Sequence, residues 1–241
     1  MRRKKKKIIC LMLGVLAILL AILLLILIVC ISLKKSSNQE RNADQKEMQT
    51  SILKEEIDLG ENLKLTDISE TTGEFPEDGS DELIEKMLMA TFVNEGENTI
   101  QYSVVQITIG EEVFSFEFST LPAGKSVCVF EANKKSLSSK ARNISAKAEY
   151  IAYFQEEPSL YEDELGITVT DGTIKVQNIS GREIDKEISV FYKNVSGDTF
   201  IGGITYRLRV PAGLAAGEEY QGSARHVSEK MTKVMFVTYG E

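Results

Sequence analysis

Twenty-six consecutive residues, Ile8 to Leu33, carry no charge, and the six residues before Ile8 are all Lys or Arg. A bilayer core of about 30 Å takes roughly 20 helical residues, because a helix satisfies its own backbone hydrogen bonds where lipid cannot. This run is long enough to span with some tilt. A cleaved signal peptide would carry an apolar stretch of about 7–15 residues and a small-x-small cleavage site. Here the stretch is longer and no Ala-x-Ala follows it. The segment therefore predicts an uncleaved transmembrane helix. Cys10 and Cys30 read as apolar members of it. No charged residue marks a transport path, and Gly14 stands alone rather than in a Gly-x-x-x-Gly dimer face. Six basic residues precede the span and two, Lys34 and Lys35, follow it, which favours a cytoplasmic N-terminus. The remainder of the chain is then expected outside the cell membrane.

Charge supports that division. Residues 1–35 hold eight basic and no acidic side chains, so 20 of the 28 basic and all 36 acidic residues fall in 36–241, a formal charge of −16. An acidic exterior argues against nucleic acid as a partner, because phosphate recognition needs basic patches. Cys128 is the one cysteine beyond the span, so no intramolecular disulfide is expected there. Its setting, Val127-Cys128-Val129-Phe130, reads as a buried structural thiol.

From Ser36 to about Asp81 the chain is polar. Ala43, Met48, Ile52, Leu53 and Ile57 lie near helical spacing and predict a short helix around 40–57, ended by Gly60. Thr71 to Ser80 reads as a loop, and the whole of 34–85 as a stalk. Beyond it the period changes. Phe114, Phe116 and Phe118 alternate with Ser115 and Glu117. Ile184, Lys186, Ile188, Val190 and Tyr192 share one face, as do Ile204, Tyr206, Leu208 and Val210. These are half-buried strands of an all-β fold.

The two halves repeat one order of features. The first carries a strand ending at Asn94, two longer strands, the turn Leu121-Pro122-Ala123-Gly124, and a closing strand over 144–154. The second carries a strand ending at Asn178, strands to Tyr192 and from Thr199, the turn Leu214-Ala215-Ala216-Gly217, and a closing strand over 232–239. The predicted fold class is an all-β extracytoplasmic region, two tandem small β-sandwich or Ig-like modules, behind one N-terminal transmembrane helix. The predicted organisation is a basic cytoplasmic tail at 1–7, the helix at 8–33, the stalk at 34–85, and modules at 86–156 and 166–241.

Val176-Gln177-Asn178-Ile179-Ser180-Gly181, Val190-Phe191-Tyr192-Lys193-Asn194 with Gly197, and Leu214-Ala215-Ala216-Gly217-Glu218 resemble the FxLYD-type small β-sandwich of bacterial surface proteins. The naming motif departs at Phe191-Tyr192-Lys193-Asn194. The resemblance implies a surface module without known catalytic chemistry.

Few residues offer chemistry. His226 is the single histidine, and a Ser-His-acid arrangement would have to use it, with Ser223, Ser228 and Glu229 nearby in sequence. Beyond the span, His226 and Cys128 are too few for a structural zinc site. Asp78, Ser80 and Glu82 alternate in a Gly-containing loop of the kind calcium favours, far from a complete binding loop. Gly202-Gly203 interrupts a good strand and predicts a bulge or a close backbone approach. If a partner surface exists, Phe200, Tyr206 and Arg207 on that strand are its first candidates, because aromatics and Arg are enriched at interaction hot spots. No catalytic, cofactor or metal residues are assigned. The expected role is a non-enzymatic binding, scaffold or accessory protein of a bacterial envelope or surface complex, integral to the membrane and with a protein partner. The alternatives are an envelope enzyme of unrecognised site and a regulatory subunit of another membrane protein.

Overall fold

The computed structural model describes residues 51–80, 82–138, 143–224 and 226–240. The expected tail at 1–7, the span at 8–33 and most of the proposed helix at 40–57 lie outside the described residues. Among the described residues no helix is long and apolar enough to cross a membrane.

The described chain is all-β. Its strands are β1 (Ile57–Asp58), β2 (Leu63–Glu74), β3 (Leu83–Asn94), β4 (Ile100–Ile109), β5 (Glu112–Leu121), β6 (Ser126–Phe130), β7 (Ile144–Tyr153), β8 (Leu165–Thr170), β9 (Thr173–Asn178), β10 (Ile188–Ser196), β11 (Thr199–Val210), β12 (Glu219–Ser223) and β13 (Thr232–Tyr239). They form three sheets, ordered β1-β2-β3-β6-β11-β10-β13, β5-β4-β7 and β12-β9-β8.

Two cores follow from the alternation of side chains across the strands. In the first, Leu63, Leu65, Ile68, Leu88, Ala90, Phe92, Val127 and Val129 of β2, β3 and β6 face Val105, Ile107, Phe114, Phe116 and Phe118 of β4 and β5. Phe92 stacks on Phe118 at 5.2 Å between centroids and meets Phe116 edge-on at 6.1 Å. In the second, Leu165, Ile174 and Val176 of β8 and β9 face Ile188, Val190, Tyr192, Leu208, Val210 and Val237 of β10, β11 and β13. The first sandwich thus sets β2-β3-β6 against β5-β4-β7, and the second sets β8-β9-β12 against β11-β10-β13. The order of strands is the same in both.

One turn recurs with them. Asn94 and Asn178 are both fully buried at the ends of β3 and β9. The Asn94 Nδ2 donates to Asn98 O and Leu121 O, and the Asn178 Nδ2 donates to Arg182 O and Leu214 O. The backbone carbonyl oxygen of each Asn then accepts from the N–H of the glycine in its Leu-x-Ala-Gly turn, Gly124 or Gly217. Both glycines have positive φ, +66° and +78°, which a side chain would oppose.

The sandwiches meet through unlike sheets. β6 pairs with β11 in parallel, Thr199 opposite Ser126, Phe200 opposite Val127 and Ile201 opposite Cys128. The second sandwich also reaches into the first core. Phe200 belongs to that core, and Val195 and Met235 pack against it. Between β7 and β8, Phe154 packs edge-on against Phe236, which stacks on Phe191.

Two expectations change. The proposed stalk at 34–85 contains β1, β2 and the start of β3, so the first sandwich begins well before residue 86. The register of β2 shifts between Leu65 and Asp67, which moves the inward positions from Leu63 and Leu65 to Ile68 and breaks the simple alternation. The helix expected around 40–57 does not extend through 51–57. There Ile52, Leu53 and Ile57 lean on the first core instead, and Ile52 N donates to Ile68 O.

Candidate interaction site

The interruption at Gly202-Gly203 is a large bulge. Tyr192 of β10 lies opposite Tyr206, and Asn194 lies opposite Ile201, so residues 202–205 of β11 all stand across from Lys193. The bulge presses β11 onto β5 of the first sandwich. A Cβ built on Gly203 would sit 1.9 Å from Glu117 O, which is why this position holds glycine.

Two buried charges hold the bulge. The Lys193 side chain is fully buried. Its Nζ donates to Ser119 O at 3.0 Å, Gly203 O at 2.9 Å and Ile204 O at 3.0 Å. An ammonium has three donors, and all three are used. On the N–H side of the same dipeptide lies the Glu77 carboxylate, from the loop after β2. It accepts from Gly203 N at 2.8 Å and from Ile204 N at 3.1 Å. It also accepts from Phe130 N of β6 at 3.0 Å. Burial pushes Glu77 above the ordinary carboxylate value, against the pull of these N–H groups and of Lys193. Burial pushes Lys193 down to about 7, against the pull of Glu77. Ser119 and Thr205 add a hydroxyl pair at 2.7 Å across the joint.

An open cleft of about 660 Å³ lies over this joint, lined by Phe75, Asp78, Tyr102, Glu117, Lys134 and Thr205 among others. Its ionic groups are engaged with one another. The Tyr102 hydroxyl donates to Glu117 Oε2 at 2.6 Å, which helps push the phenol up to about 12. The Lys134 ammonium pairs with Asp78 at 2.8 Å and with Glu82, and lies 4.8 Å from the Phe75 ring centroid. Lys134 and the Ser80 N–H hold the Asp78 carboxyl well below its usual range. The acidic loop read for calcium is thus occupied by the chain's own cation. Among the described residues no group of three His, Cys, Asp or Glu could hold a metal ion.

The three candidate contact residues do not form one patch. Phe200 is 2% exposed in the first core and is unable to meet a partner. Its place beside Gly202 reflects the joint within the chain. Tyr206 is half-buried, in a column with Tyr192 at 5.3 Å and His226 at 5.4 Å. Arg207 is exposed, on the other face of β11 from Tyr206. His226 therefore packs against an aromatic ring. Its neighbours Ser228 and Glu229 direct their backbone N–H groups to Thr232 Oγ1 and Asp171 Oδ1. Cys128 is 7% exposed, and burial pushes its thiol up to about 12.

Sequence reasoning missed Glu77 and Lys193. Glu77 looked like one of many acidic loop residues. The available signal for Lys193 was a lysine directly after the inward-facing Tyr192, across from a Gly-Gly interruption. Comparison with known proteins adds nothing to this geometry: no family model matches the chain, and no curated protein matches it.

Proposed function

We propose that this chain is a single-pass membrane protein with a cytoplasmic N-terminus, presenting two tandem Ig-like sandwiches as a binding or scaffold element of a bacterial envelope complex, without catalytic chemistry of its own. The observation that carries this reading is the work done by its buried polar side chains. Glu77, Lys193, Asn94 and Asn178 all hold backbone groups. Glu131, also fully buried, accepts from Ser115 N, Asn133 N and Lys135 N. Here these groups fasten turns and the joint between the sandwiches, which suits a rigid binding framework. The uncharged run Ile8–Leu33 with its basic flank supports membrane anchorage, and the acidic remainder supports an exterior location. The resemblance of the second half to FxLYD-type modules agrees with a surface role.

Crosslinking the full-length tagged protein in its native membrane, followed by pull-down and mass spectrometry, tests the scaffold role. A reproducible stoichiometric protein partner supports it, and its loss from well-solubilised material counts against it. Protease added to intact spheroplasts tests the topology. Digestion of the region beyond residue 50 from outside is expected, and full protection overturns the orientation.

A further inference from the structure

β6 and β12 hold the same place in the two sandwiches. Each is five residues long, follows a Leu-x-Ala-Gly turn and pairs antiparallel with the strand that ends in the buried Asn. An antiparallel ladder alternates pairs that exchange hydrogen bonds with pairs that exchange none. Asn94 N donates to Lys125 O at one end of the β3–β6 ladder, and Glu131 N donates to Leu88 O at the other. The alternation then turns the N–H and C=O of Ser126, Cys128 and Phe130 away from β3. The β9–β12 ladder has the same phase, since Asn178 N donates to Glu218 O and Ala224 N to Gly172 O. Glu219, Gln221 and Ser223 therefore turn their N–H and C=O away from β9.

In the first sandwich these outward groups are met. Thr199–Ile201 of β11 lies parallel to Ser126–Cys128, and the Glu77 carboxylate accepts from Phe130 N. In the second, β12 is the outermost strand of its sheet. Glu219, Gln221 and Ser223 are exposed, and among the described residues no group of the chain bonds their outward N–H and C=O. Edge strands are commonly guarded by lysines and bulges. β7, the long edge of the first sandwich, has both: Lys147, and a register shift against β4 between Val104 and Val105. β12 has neither Lys nor Pro, and its pairing with β9 is in unbroken register.

We propose that β12 is a docking edge for a β-strand of another protein's β-sandwich, added in parallel alongside Glu219–Gln221 as β11 is added to β6. This rests on the scaffold reading and deepens it, by naming the kind of partner and the strand that holds it. Strand addition draws affinity from backbone hydrogen bonds and specificity from the side chains beside them. Where β6 sets Ser126 and Cys128 beside Thr199 and Ile201, β12 sets Glu219 and Gln221. The incoming strand therefore carries polar side chains at the places of Thr199 and Ile201. A second copy of this chain does not supply it, because its β11 is already paired with its own β6.

The test is photocrosslinking of the full-length tagged chain in its native membrane, with p-benzoylphenylalanine in place of Ser223 or, on the other edge, of Lys147. The probe at Ser223 is expected to capture one protein, at a peptide within an edge strand of a β-sandwich, and the probe at Lys147 is not. Gln221→Pro removes an outward N–H without breaking a bond to β9, a place where an edge strand tolerates proline. It should cut the Ser223 adduct by about tenfold or more, because the partner's acceptor is left facing a ring without a donor. Gln221→Ala keeps the N–H and should leave the adduct within about threefold of the parent. An adduct that survives Gln221→Pro, one that maps outside a β-strand, or one formed with a second copy of this chain overturns the proposal. If Gln221→Pro does not fold, the Ser223 probe in the parent chain still decides by where its adduct maps. No adduct at Ser223, or capture at Lys147 instead, while general crosslinking recovers a stoichiometric partner, overturns the β12 edge and leaves the scaffold role standing. No partner by either route overturns both.

Discussion

Asn94 and Asn178 occupy the same place in the two sandwiches, each fully buried with its Nδ2 shared between two carbonyls and its backbone C=O closing a Leu-x-Ala-Gly turn. Replacing either by Ala leaves one buried carbonyl, Leu121 O or Leu214 O, without its donor, while the other, on exposed Asn98 or Arg182, can turn to water. An unsatisfied buried group costs about 1–3 kcal/mol, and each variant should lose about that much. Ile179→Ser, next to Asn178 but half exposed, should stay within about 0.5 kcal/mol. Urea unfolding of the three variants checks this, and an Asn variant as stable as the parent would sink it.

Gly203→Ala places a methyl 1.9 Å from Glu117 O, a backbone atom of a strand packed on both sides. The strand is unable to retreat without opening the first core. Overpacking of this kind costs about 1–3 kcal/mol and sometimes more, and the upper end is expected here. Gly73→Ala, where nothing lies within 4 Å of the added atom, serves as control and should be near neutral. Thermal melts of both give the comparison.

Phe200 lies on a strand of the second sandwich and in the core of the first. Phe200→Ala should therefore cost about 3–5 kcal/mol, and the damage should appear in the wrong half of the sequence. Faster hydrogen exchange in β4 and β5, with β8 and β9 little changed, is the signature. Loss confined to β8, β9 and β12 would contradict the shared core.

Lys193 gives the stability a pH dependence. Burial lowers its value to about 7 from the ordinary 10.5, so between those values the unfolded chain binds more protons than the folded one. Stability then rises with pH across that window and is flat below it. Glu77 acts in the opposite sense at acid pH. Its raised value means stability falls as pH climbs from 4.5 to the shifted value. Unfolding free energies for the parent and Lys193→Met, measured between pH 6 and pH 10, should diverge upward in favour of the parent above about pH 7. A constant difference would show that Lys193 does not titrate there.

Much of this architecture is legible in the residues. The Phe114-Phe116-Phe118 alternation marks β5, and Gly202-Gly203 marks the bulge. The recurrence of Asn before a Leu-x-Ala-Gly turn marks the duplication. What escaped detection has physical causes. β2 hides because the register shift at Thr66 switches its inward face partway along, and Lys64, Thr66 and Asp67 dilute the apolar signal. Glu77 and Lys193 meet across a bulge joining distant segments, and no local period encodes that meeting. Phe200 misled because an aromatic beside a Gly-Gly pair suggests an exposed contact, whereas here the contact is with the chain's own other half.

The joint between unlike sheets is in principle a rule for endless addition, since β6 of one sandwich accepts β11 of the next. In the second sandwich β12 is the counterpart of β6, and it lies at a sheet edge. In the first sandwich β5 is the counterpart of β11, but its outer edge is already taken. Ser115 N and O are bound by Glu131 and by Ala132 N, Val113 O by Lys135, and Ser119 O by Lys193. Among the described residues, then, the second sandwich keeps an edge strand in the β6 position, while the first has already bound several groups of its β11-like edge, so the pairing that joins the two halves is not offered in the same form at both ends.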